Sequence, residues 1–167
     1  MGEKDSNQKA QIVLAPSRPE IIANISVFLA GTTSGNDWRE SVTRALSHLP
    51  VTIYNPLRTD WDSSWREDPS FQPFREQVDW ELDMQEQADL VVIYFGAGTD
   101  APISLLELGL CARAGKAIAA CHPDYRKRGN VTLVAERFGL KLLDGSDRLV
   151  EEVVGRIENI LESQKLG

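Results

Sequence analysis

Five times along this chain a short apolar run gives way to a longer segment with apolar residues at helical spacing, and that alternation leaves few ways to fold. The runs lie at residues 25–30, 51–54, 90–95, 117–121 and 140–143. The first is followed by a helix that Asn36 caps and Asp37 begins, the others by helices near 73–88, 104–114, 130–138 and 146–162. On the first helix Trp38, Val42, Ala45, Leu46 and Leu49 fall on one face, and Pro50 ends it. Strands that are apolar throughout and joined through helices make a parallel sheet covered on both sides, because a parallel pair needs a crossover and a helix fills it.

The sequence therefore predicts one α/β domain over residues 24–167, Rossmann-like or flavodoxin-like, with five parallel strands in the order 2-1-3-4-5 and helices on both faces. A chain of 167 residues is long enough to enclose such a core. Residues 1–23 mix charge, Asn, Gln and two prolines around one apolar run at 12–15, which reads as a tail or an edge hairpin. In the expected strand order the loops after the first and third strands diverge, leaving a ligand crevice at the carboxyl edge of the sheet.

A formal net charge of −7 argues against a general binder of nucleic-acid polymers or membrane surfaces, both of which require a positive field. Two cysteines, Cys111 and Cys121, and two histidines, His48 and His122, are too few and too scattered for a zinc set. No metal or other cofactor is among the expectations. The cysteines read as core thiols of a cytoplasmic protein. No apolar run approaches the ~20 residues of a membrane span.

The loop after the first strand, from Gly31 and Thr32 through Asn36, Asp37, Trp38 and Arg39, turns on small residues into a helix amino terminus. Such a turn lets backbone approach a ligand and points free N–H groups at oxygen-rich groups, although it also serves as a plain strand-to-helix turn. The loop after the third strand leads into Ser104 and Glu107, which have capping-box spacing. Glu107 is nevertheless surrounded by Leu105, Leu106, Leu108 and Leu110, an expensive place for a carboxylate without a partner. The stretch after the second strand, about 55–70, is long for a loop and carries Arg58, Asp60, Trp61 and Trp65. It either folds over its own aromatics or offers an indole for a flat ligand to stack on. Arg126, Lys127 and Arg128 form a basic cluster that faces solvent or greets a phosphate, and Asn130 suits a helix cap.

Gly31-Thr32 with Gly35-Asn36-Asp37-Trp38-Arg39, Asn55-Pro56-Leu57-Arg58-Thr59-Asp60-Trp61-Asp62 and Pro102-Ile103-Ser104-Leu105-Leu106-Glu107-Leu108-Gly109 stand in order along the chain. Ala88-Asp89, Gly115-Lys116 and Gly129-Asn130 fall between and after them. Together these motifs resemble the nucleoside 2-deoxyribosyltransferase family, in a deoxyribosyltransferase-like branch, over roughly residues 25 to 140. The resemblance implies cleavage or transfer of the N-glycosidic bond of a 2′-deoxynucleoside, or of its 5′-monophosphate, through a covalent deoxyribosyl-glutamate. Glu107 falls on the nucleophile and Glu81 on the partnering acid, with Asp79 as the alternative; Asp100 fills a second acidic position only with a one-residue shift. Asn130 falls on a residue contributed across a dimer interface, so at least a homodimer is implied, with nucleosides or nucleotides and nucleobases as its small-molecule partners. Two other readings stand beside this one: a nucleotide N-hydrolase, in which water always resolves the intermediate, and a non-catalytic nucleotide-binding sensor.

Overall fold

The structure, a computed structural model, describes residues 9–32 and 37–166. Its strands are β1 (Gln11–Leu14), β2 (Ile25–Gly31), β3 (Val51–Asn55), β4 (Leu90–Phe95), β5 (Ala117–Cys121) and β6 (Leu142–Leu143). Its helices are α1 (Trp38–Leu46), α2 (Gln72–Gln87), α3 (Pro102–Ala112), α4 (Arg128–Phe138) and α5 (Leu149–Lys165). The chain is α/β with a parallel sheet, as the alternation predicts, but the sheet has six strands rather than five. Its order, β1-β3-β2-β4-β5-β6, differs from the five-stranded expectation by a strand added at one edge, where the apolar run near residue 12 forms no hairpin; β3-β2-β4-β5-β6 keeps the expected 2-1-3-4-5. It pairs in parallel with β3, Gln11 opposite Thr52 and Leu14 opposite Asn55, and so becomes an edge strand of the sheet.

Every residue of β4 and β5 is buried, which requires a cover on both faces. Alternate residues supply two cores. Phe28, Val91, Ile93 and Phe95 meet Trp80 and Met84 of α2, Leu108 of α3 and Val131 of α4. Val27, Leu29, Val92 and Tyr94 meet Trp38, Val42 and Leu46 of α1 and Leu149, Val153 and Ile157 of α5. Each large side chain so buried contributes about 1.5–3 kcal/mol, so the sheet and its helices hold together without any single dominant contact. Among the described residues no helix is long and apolar enough to cross a membrane.

Polar contacts fix the register of β2 against β4 at both ends. At the amino end Asp89 Oδ2 accepts from the Ser26 N–H at 2.7 Å and the Ser26 hydroxyl at 3.1 Å. At the carboxyl end the Thr32 N–H donates to the Tyr94 carbonyl at 2.8 Å, and Thr32 Oγ1 accepts from the Gly96 N–H at 2.9 Å. Gly31 sits between them at φ +103, where an added Cβ would lie 2.3 Å from the Tyr94 oxygen, so only glycine lets the two strand ends close this tightly. Asp37, rather than Asn36, caps α1, accepting from the Glu40 N–H at 3.2 Å; Asn36 lies outside the described residues.

Candidate active site

Pro102 opens α3 two residues ahead of Ser104, its fixed φ suiting the first helical position, where its missing N–H costs nothing. The residue before it, Ala101, takes a left-handed conformation at φ 41 and makes no side-chain cap. Ser104 and Glu107 therefore form no capping box, and Glu107 lies in the second turn, past the reach of the helix amino-terminal field. The Glu107 side chain turns inward instead. It is 7% exposed, and its Oε1 accepts from Gln85 Nε2 at 3.1 Å.

Across from it, α2 presents Gln77, Glu81 and Gln85 at successive four-residue steps, which places all three on one face. Gln77 Nε2 donates to Glu81 Oε1 at 2.7 Å and to the Pro56 carbonyl at 3.0 Å, tying the acid to the start of the long loop. From α1, Arg39 donates through Nη2 to the Gly31 carbonyl at 2.9 Å, while its Nε is buried with no partner among the described residues. These groups form the floor of a groove of about 640 Å³ between α2 and α3, with Val78, Leu82, Ile103, Leu106 and Leu110 as apolar walls.

The groove sets the ionisation of its acids. Burial, and then the neighbouring charge of Glu81, push Glu107 up to about 8, against the pull of Arg39 and a backbone hydrogen bond from Gly31. Burial raises Glu81 too, opposed by the Gln77 hydrogen bond and by Arg39. Burial lowers Arg39, opposed by Glu107, Glu81 and Asp37. Two poorly hydrated carboxylates thus share one cation, an arrangement able to hold a proton on one acid while the other is charged.

The model of the family described as nucleoside 2-deoxyribosyltransferase like matches residues 24–125, which takes in the whole floor of this groove. The chain belongs to that family. No curated protein matches it. Membership in a nucleoside 2-deoxyribosyltransferase-like family points to an enzyme of glycosyl transfer on nucleosides, and the matched span includes Gly31, Arg39, Trp61, Glu81 and Glu107.

Not every residue singled out in this deoxyribosyltransferase-like sequence reaches the groove. Asp100 is exposed and pairs with Arg126 on the α4 side, and its carbonyl accepts from the Tyr125 hydroxyl at 2.8 Å. Asp79 is also exposed and faces Arg75 at 3.4 Å, which leaves Glu81 as the α2 acid in the groove. Asn130 lies exposed within α4, whose cap position is Lys127, so it is no helix cap and borders a separate depression with Leu133 and Phe138. Arg128 joins Asp144 and donates to the Cys121 carbonyl, so the basic cluster is partly structural. Trp38 is a core residue: 3% exposed, it packs edge-on to Tyr94 and donates from Nε1 to the Thr32 carbonyl at 2.7 Å. Thr32 is likewise spent on the strand ends. Asp37, Trp38 and Arg39 also border a second cavity of about 590 Å³ on the α1 side.

The loop from 56 to 71 is built around Arg58, which is buried and pairs with Asp60 and Glu76 at 2.7 Å each. Its guanidinium lies 4.8 Å from the Trp65 ring centre, and Trp65 packs in turn on Trp61 and Phe71. Arg58 and Asp60 therefore serve each other; Pro56, Leu57, Arg58 and Glu67 of the loop border the groove, and the aromatic the loop offers to it is Trp61, half exposed at 49%. Gln77 and Gln85 escape a reading of sequence alone. Their signal was the spacing: two amides flank Glu81 one helical turn away on either side, beside the buried Trp80 and Met84. Both cysteines are buried free thiols, and among the described residues no cluster of three or more His, Cys, Asp or Glu is placed to hold a metal.

Proposed function

We propose that this protein cleaves or transfers the N-glycosidic bond of 2′-deoxynucleosides, or of their 5′-monophosphates, with Glu107 as the nucleophile. The observation that carries this reading is the placement of Glu107: buried, free of its own helix cap, and set in one groove with Glu81 and Arg39. The Glu107 carboxylate attacks C1′ as the bond to the base breaks, and the electron pair of that bond leaves on the base nitrogen. Glu81 supplies the proton that the leaving base takes. A second base, or water, then attacks C1′ from the opposite side, gives its proton to the now ionised Glu81 and releases the Glu107 carboxylate. Burial and the Glu81 charge push Glu107 up to about 8, whereas positive charge growing at C1′ favours its ionised form. Poor hydration strengthens that attraction.

Trp61 serves as the platform for the base. Trp61→Ala is expected to raise KM roughly fivefold with kcat changed little, because stacking holds substrate and transition state alike. Steady-state kinetics check this, and a fall in kcat at constant KM contradicts it. The working unit proposed is at least a homodimer, and Asn130, exposed on α4, is the residue proposed to serve a neighbouring subunit's groove. The reaction class is tested by incubating the protein with a deoxynucleoside, with and without an acceptor base. A new nucleoside identifies transfer, free deoxyribose identifies hydrolysis, and the unchanged substrate overturns the reading.

A further inference from the structure

Position 85 faces the interior beside Met84, a place where leucine or methionine packs without polar cost. The residue there is a glutamine, 5% exposed, whose Oε1 is buried without a hydrogen-bond partner among the described residues. An unmet buried acceptor destabilises a fold. Its other end is used: Nε2 donates to Glu107 Oε1 at 3.1 Å in a fully buried contact. The backbone beneath it is held as well. Lys116 Nζ donates to the Gln85 carbonyl at 2.6 Å, and to those of Glu86 and Ala88 at 3.0 Å each, so an ammonium closes the carboxyl end of α2.

We infer that Gln85 is a positioning residue for the reaction: its amide, fixed through Lys116, aims the Glu107 carboxylate into the groove and favours its charged form. The inference rests on the reading of Glu107 as the nucleophile. A donor that meets one carboxylate oxygen leaves the other to face the substrate, and a hydrogen bond to a charged acceptor is stronger than one to a neutral acid. The other groups acting on Glu107 are Glu81 from α2, Arg39 from α1 and the backbone of Gly31 at the end of β2; the buried Cys111 thiol, one turn on along α3, is itself pushed up by the Glu107 charge. Of these Arg39 and Gly31 favour the charge and Glu81 opposes it, while Gln85 holds Oε1 through its side-chain amide.

The test uses Gln85→Met, which keeps length and packing and removes the donor. The Glu107 carboxyl is followed by carbon-13 NMR of the ligand-free protein with labelled glutamate, and its signal is assigned by its loss in Glu107→Gln. The midpoint of Glu107 is expected to rise by about one unit in Gln85→Met, with the urea midpoint of unfolding unchanged or higher. The acid limb of the kcat/KM profile should move by the same amount, with kcat reduced more than KM is altered. A Glu107 midpoint that stays in place in the folded variant overturns the inference. Should Gln85→Met fail to fold, the side-chain amide signal of Gln85 in the unaltered protein decides: it is expected to titrate with the Glu107 midpoint, and a signal indifferent to pH overturns the inference. The NMR measurements need no turnover, so a protein that cleaves no nucleoside refutes the proposed function without touching this result.

Discussion

Glu107→Gln is expected to lower kcat at least ~1,000-fold while the protein stays folded and nucleoside affinity changes little. Glutamine has the same shape, still fits beside Gln85, and removes only the nucleophilic oxygen and its charge. Burial is what makes the effect large. A carboxylate 7% exposed is poorly hydrated, and Glu81 on the facing helix is already engaged by Gln77. Single-turnover assays with a deoxynucleoside, alongside equilibrium binding, check this outcome. Retained turnover in the variant would mean that the groove works through another group, or that Glu107 is only a structural acid.

The same substitution is expected to stabilise the protein, and by an amount that depends on pH. Glu107 has an ordinary value of 4.5 and is pushed up to about 8 by burial and by Glu81. Between those values the folded chain holds a proton that the unfolded chain has released, so its contribution is favourable at low pH and is lost as pH rises through the window. The full shift corresponds to a ceiling of about 4 kcal/mol by pH 8. Glutamine does not titrate. The gap in melting temperature between variant and parent should therefore be near zero around pH 4.5 and open to roughly 5 to 10 °C by pH 8. A gap that is the same at both ends of the range contradicts the burial of an ionisable group at this position.

Much of this was legible in residue order, and the failures have local causes. The strands at 25, 51, 90 and 117 were visible because interior parallel strands are apolar throughout, a pattern that few other elements share. The edge strand β1 was not, because Val13 is its one fully buried residue and its partner, β3, lies some forty residues on; four residues cannot announce a distant parallel neighbour. The capping box at Ser104 and Glu107 had the right spacing but the wrong starting point, since Pro102 begins the helix a half-turn earlier. Asp60 and Arg58 stand close in sequence and were open to a role in binding; their mutual ion pair, closed by Glu76 from α2, depends on how the loop folds. Glu81 and Glu107 are 26 positions apart in the chain, and only the crossing of α2 and α3 over the sheet brings them into one groove.

The central claim is a bond between Glu107 and a sugar, and mass spectrometry tests it most directly. The protein is quenched in acid during turnover of a deoxynucleoside and digested, and the peptide containing Glu107 is examined. The account predicts that this peptide gains the mass of one deoxyribosyl group, with fragmentation placing the addition on Glu107 and no addition in Glu107→Gln. An active protein that carries the adduct on another residue contradicts it.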